Sequence, residues 1–365
     1  MKRNYSTLLI CCFLSIYTGA FAQPNNKVAE DTLKNFRFNA LPIVFYAPET
    51  GFGYGGLALS TFRFKGEAAS SRPSSIQLGV TLTSKKQVLL FMPYELYLDD
   101  EKWRFIGELG FYNYFYNFYG RGINAPEEDL ETYTADFPRF RFSALREVAP
   151  NIGFGVGYEF DGFNVVIPAE GGLLENSNEI RKTGGTISNI GILAFYDTRD
   201  NVFVPSKGFF IQANAYTSSK ALGSSFSYQK FEVDGRYYQK IKGEHILASS
   251  LFFATRSKET PFLDLNYLGT KRTRGHDNRR YQDNMELSAA LEYRFPIKGR
   301  FGGVLFGSSG TVAPTVGELW STTYKNAAGT GLRYTINKKE GTRLRVDYAM
   351  SNEGGNFYFT IKEAF

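Results

Sequence analysis

The sequence predicts an all-β fold, a single antiparallel transmembrane β-barrel of sixteen strands, or fourteen if the first hairpin is not a strand pair. Three observations predict it. Successive segments alternate apolar and polar residues with period two. The 365 residues hold 34 Phe, 24 Tyr and 37 Gly but only two Trp. Short connections gather on one side of the strand order and long ones on the other. No stretch beyond residue 22 approaches the ~18 apolar residues that a membrane-spanning helix needs.

Residues 1–22 read as a cleaved signal peptide. Lys2 and Arg3 supply the positive start, Leu8 to Ile16 the short apolar core, and Ala20-Phe21-Ala22 the small-residue cleavage site. The apolar run is too short to anchor in a bilayer. Cys11 and Cys12, both inside the removed segment, are the only cysteines, so the mature chain has no disulfide and no cysteine metal site. Removing the segment lowers the formal charge from +6 to +4, too little to argue for nucleic acid. Residues 23–35 form a short polar periplasmic lead, and 36–365 form the barrel.

Strand character falls near 38–47, 51–64, 74–83, 87–97, 103–116, 133–146, 151–164 and 185–197. It continues near 208–219, 225–241, 245–256, 285–297, 301–312, 326–336, 342–350 and 357–365. The twelfth is the clearest: Leu287, Ala289, Leu291, Tyr293 and Phe295 share one face, and Glu286, Ser288, Glu292 and Arg294 share the other. In the fifteenth, Leu344, Val346 and Tyr348 oppose Arg343, Arg345 and Asp347. A soluble sandwich alternates too; the export signal, the aromatic load and the loop asymmetry favour the membrane. The longest connections, 117–132, 165–184, 257–284 and 313–325, all follow odd-numbered strands, which places both termini on the short-turn side.

Loop 257–284 is the unusual one, because Thr270 to Asp283 is dense in both signs of charge. An ordinary solvated loop would read the same way. The functional reading folds it into the lumen as a plug. There Arg274 would pair with an inward carboxylate, Glu292 or Glu286, and Gly275 would permit the close turn.

These residues carry a resemblance. The chain is similar to the BamA/TamA family of outer-membrane proteins, the bacterial surface antigen barrels, most strongly from Asp197 onward. Arg274-Gly275-His276 stands where that family carries Arg-Gly-aromatic on its lumen loop, with His276 in place of the aromatic residue. Glu292, in Leu291-Glu-Tyr-Arg-Phe-Pro296, matches the acidic partner of that arginine. Asp197 to Gly208 matches the family's Asp/Pro/Gly turn, and Gly329 to Tyr334 and Leu344 to Ala349 match two of its strands. Phe357, Phe359 and Phe365 resemble a terminal sorting strand. Ser308, in Phe306-Gly-Ser-Ser-Gly310, stands where the family has an aspartate, which implies a looser anchor for Arg274. Asp347 and Glu286 are, with Ser308, the secondary candidates. The family's POTRA domains find no room here, so the expectation is a short form without them.

No enzyme pattern is present. His245 and His276 lack metal-ligand spacing, and Gly51 to Gly56 opens a strand where a phosphate loop would open a helix. No catalytic residue, cofactor or metal is expected. The resemblance implies an outer-membrane location among lipids. It also implies a role in inserting proteins or lipids with a separate periplasmic or outer-membrane assembly partner. The alternative is a structural surface antigen or a plugged narrow pore.

Overall fold

The structure, a computed structural model, describes residues 33–47, 51–166, 170–202, 204–337, 342–361 and 363–365. The expected signal peptide and most of the polar lead lie outside the described residues. The first half of the chain holds β1 (Leu33–Ala47), β2 (Gly51–Phe64), β3 (Ser74–Thr83), β4 (Val88–Leu98), β5 (Trp103–Phe118), β6 (Glu131–Ala149), β7 (Ile152–Val166) and β8 (Gly184–Asp197). Then follow β9 (Gly208–Ser218), β10 (Tyr228–Lys242) and β11 (His245–Arg256), and two short strands, β12 (Asn266–Tyr267) and β13 (Gln282–Asp283). The chain closes with β14 (Met285–Lys298), β15 (Phe301–Ala313), β16 (Lys325–Asn337), β17 (Thr342–Ser351) and β18 (Gly354–Ile361).

Sixteen of these strands make one antiparallel sheet whose spatial order follows the sequence, β11 being joined directly to β14. β12 and β13 pair only with each other, inside the loop between β11 and β14. The period-two pattern explains the wall. Along β14, Glu286, Ser288, Ala290, Glu292 and Arg294 are buried, whereas Ala289, Leu291 and Tyr293 are exposed. Along β17, Arg345, Asp347 and Ala349 are buried, and Val346, Tyr348 and Met350 are exposed. Charge inside and apolar residues outside invert the ordering of a water-soluble sheet, as hydrocarbon outside a barrel requires.

Two expectations need correction. β1 starts at Leu33, so the lead is shorter than 23–35. The last strand is β18 at Gly354–Ile361 rather than 357–365, and Phe365 is buried instead of lying on the outer face. The reason lies in the alternation. Phe357 is exposed on the outer face, and a straight continuation would carry Glu363, of the same parity, into hydrocarbon. The chain turns inward, and the Glu363 carboxylate accepts hydrogen bonds from Arg333 Nε at 2.9 Å and Arg343 Nη1 at 3.2 Å. Phe365 then packs against Tyr238, Ala248 and Ala290.

Candidate functional site

The loop from Ser257 to Asn284 is exposed at Ser257, Lys258 and Glu259 and then packs inward, with 260–262, 265–266, 273–276 and 280–284 buried. Near its start, the buried Phe262 meets the rings of Phe118 and Tyr133 edge-on, with centroids 5.6 and 5.5 Å away. Asp264 accepts from Tyr228 Oη at 2.6 Å and lies 3.5 Å from Lys230 Nζ. At the tip, the Thr273 hydroxyl accepts from the Gly269 and Thr270 amides at 3.0 and 3.2 Å, fixing the turn that presents Arg274.

Arg274 is the centre of the site. Its Nη2 donates to Glu292 and its Nη1 to Asp347, and the three side chains are 1%, 0% and 0% exposed. The guanidinium lies 3.7 Å above the Phe306 ring, a cation–π contact on its open face. Glu292 also accepts from Arg294 Nε and Nη2 at 3.0 and 2.8 Å. Asp347 also accepts from Arg333 Nη1 at 2.5 Å and lies 3.3 Å from Arg345 Nε. Arginine and carboxylate thus alternate from Arg294 through Glu292, Arg274, Asp347 and Arg333 to Glu363. A buried ion needs this compensation, because stranding one partner costs about 3–5 kcal/mol.

Gly275 follows with φ +108°, and a Cβ there would come within 2.8 Å of Ala327 Cβ. Its amide donates to Tyr358 Oη at 2.8 Å, and its carbonyl accepts from Ser351 Oγ at 2.8 Å. The buried His276 places Nδ1 3.4 Å from Glu353 Oε1, which also accepts from Tyr281 Oη at 2.5 Å. The loop is therefore fastened to the hairpin between β17 and β18 as well as to β14.

The secondary candidates separate. Asp347 joins Arg274 directly and supplies the second carboxylate that Ser308 lacks, so the expected looser anchor is not what the structure shows. Ser308 Oγ has no hydrogen-bond partner among the described residues. Glu286 is buried but accepts from Ser288 Oγ at 2.9 Å, apart from the Arg274 pairs. Phe357 faces outward, Phe365 faces inward, and the Phe359 side chain lies outside the described residues. Sequence reasoning missed the bridging roles of Arg294, Arg333 and Glu363. Their signal was available, since Arg294 shares a parity with Glu292, while Glu363 broke the outward face of the last strand. Among the described residues, no group of three or more His, Asp or Glu side chains could hold a metal ion.

The turn Asp197 to Gly208 is also explained by its residues. Asp197 accepts from Arg199 Nε and Nη2 at 2.8 and 2.7 Å and from Arg72 at 3.3 Å. Asp200 accepts from the Ser206 and Lys207 amides at 2.8 and 3.2 Å. Gly208 has φ +108°, and a Cβ there would overlap the Thr198 carbonyl.

Comparison with known proteins places this geometry. The Omp85 superfamily domain matches residues 72–365. Two of the solved structures similar to this chain illustrate the fold. BamA from Haemophilus ducreyi lacking POTRA domains 1–3 is 14% identical with a TM-score of 0.55, over 90% of this chain and 69% of that one. CdiB from Acinetobacter baumannii is 12% identical with a TM-score of 0.54, over 92% of this chain and 66% of that one. At these identities the likeness is one of fold, and the chain spans about two thirds of each structure's length. No curated protein matches it in sequence.

Proposed function

This chain belongs to the Omp85 superfamily, and from that premise we propose that it is a non-enzymatic outer-membrane barrel that helps insert proteins or lipids into that membrane, with a separate partner delivering the client. The observation that carries this reading is the mismatch between the two ends of the sheet. β1 has 15 residues and β18 has 8, so a fully paired β18 leaves about half of the β1 edge without a neighbour on that side. An unpaired strand edge is a template for a client strand. The inward turn at Glu363 removes the residues that would have extended β18.

Depleting this protein alone should lower the amounts of other outer-membrane barrels or shift the lipid composition of the outer leaflet, read by quantitative proteomics and lipid analysis of the membrane. Unchanged levels of both would overturn the assembly role.

The fastening of the loop to β14, β17 and the β17–β18 hairpin favours a second reading, a plugged narrow pore. Deleting 271–283 should then raise conductance in planar bilayers, and a deletion variant as silent as the parent would exclude a pore.

A further inference from the structure

A cavity of about 440 Å³ opens at the short-turn end of the lumen, beyond the ionic anchor. Six of its lining residues are basic (Lys240, Arg294, Lys298, Arg300, Arg333 and Arg343) and one, Glu244, is acidic. The chain itself demonstrates what this surface holds. Glu363 takes hydrogen bonds from Arg333 and Arg343, and the Phe365 carbonyl takes one from Arg294 Nη2 at 3.0 Å. Those internal oxygens do not neutralise the cluster: Arg294 and Arg333 are more than nine-tenths buried in the cavity wall, and Lys240 and Lys298 stand exposed at its rim.

We propose that this cavity is a binding site for a phosphate-bearing anion, supplied either by a lipid headgroup or as free phosphate. Its size lies within the range of small-ligand sites. The donor set favours phosphate over a carboxylate. Arginines on different strands, together with the rim ammonium groups of Lys240 and Lys298, bring more positive charge to the cavity than a single carboxylate neutralises. A tetrahedral phosphate presents oxygens in several directions and takes arginine forks and lysine point charges together. Ile297 and Phe301 line the same cavity and are exposed on the outer face, so acyl chains could run along the wall from a headgroup held here. The site does not depend on the assembly reading, because a pore or scaffold would carry it equally.

The test uses the folded full chain in a neutral detergent. Inorganic phosphate is titrated by calorimetry, and in a parallel arm the protein is reconstituted in mixed phosphatidylcholine and phosphatidylglycerol vesicles, re-extracted, and assayed for retained phosphatidylglycerol. The variant Lys240→Gln/Lys298→Gln/Arg300→Gln alters exposed rim residues and leaves the Arg274 anchor intact. Saturable binding in either arm, weakened about tenfold in the triple variant and by added salt, is the expected result. Binding in the phosphate arm identifies a soluble ligand, and binding confined to the lipid arm identifies a headgroup. Absence of saturable binding in both arms overturns the proposal. Binding that the triple variant leaves unchanged overturns it too, and Arg343→Gln repeats that test if the triple variant does not fold.

Discussion

The two halves of the barrel wall carry the same lumen chemistry in different solvation. On β4 to β7, Arg104 meets Glu95 at 2.7 Å, and Arg139 and Arg141 meet Asp161 at 2.9 and 2.5 Å. The arginine side chains in the latter two pairs stay 29% and 24% exposed. On β14 to β17, Arg274, Arg294 and Arg333 meet Glu292 and Asp347 with every side chain at 4% or less. The difference is the loop. It lays its own arginine against the second wall and shuts water out, whereas on the first wall it packs Phe262 against Phe118 and Tyr133 and leaves Arg139 and Arg141 partly exposed. Coulomb energy between the same charges rises as the local dielectric falls, and so does the cost of removing one partner. The sequence pattern of inward arginines and carboxylates is shared; what covers them decides whether they anchor or merely line.

The sharpest way to break this contrast is Arg274→Met, which keeps the stem but leaves Glu292 and Asp347 short of a cation. It should cost ~3–5 kcal/mol of stability or release the loop, read as a shift in urea unfolding of the detergent-folded barrel and as new protease cleavage within 257–284. A shift below about 1 kcal/mol would mean that the anchor is ordinary surface chemistry.

Glu363 tests the same wall by pH. Burial alone would raise its carboxyl, but the guanidiniums of Arg294, Arg333 and Arg343 outweigh burial and hold it at about 2. A depressed acid contributes stability that is complete above its unfolded value of 4.5 and is lost as pH falls through about 2. The wild type should therefore lose about 2–3 kcal/mol more than Glu363→Gln between those limits. Parallel pH profiles for the two proteins would remove Glu363 from the network.

Gly275→Ala should cost about 1–3 kcal/mol, because alanine is strained at that positive φ and its methyl meets Ala327. Protease sensitivity should rise at the loop while the wall keeps its circular dichroism. Equal protection in the variant would show that the tip is looser than its hydrogen bonds to Tyr358 and Ser351 indicate.

How much of this was legible in the sequence follows the same division. Period two gave the wall, because a side chain's face depends only on parity, and Glu292 could be placed inward from its neighbours alone. Arg274 stood out through loop charge and the adjacent glycine. Asp347 as its second partner was harder to see. It lies 73 residues away, and nothing local distinguishes it from other inward acids such as Glu286. The inward turn of the C-terminus was misread because Phe357 and Phe365 suggested one continuous apolar face. Glu363, between them in parity, was the contrary signal. β12 and β13 are two residues each, too short to leave any period.

The smallest effect is expected on the first wall, and it is the control that gives the others meaning. Arg139→Met removes one cation from Asp161, but Arg141 Nη2 still donates to that carboxylate at 2.5 Å. The methionine stem also retains apolar contact beside Tyr112 and Phe137, whose rings lie 5.2 Å from the Arg139 guanidinium. The Arg141 side chain that remains is 24% exposed, so water reaches the surviving pair. The expected cost is about 1 kcal/mol or less, measured in the same urea titration as Arg274→Met. If Arg139→Met instead matched Arg274→Met, desolvation by the loop could not be the cause of the difference between the walls. The arginine-carboxylate pairs of both halves would then have to be treated as equal structural anchors.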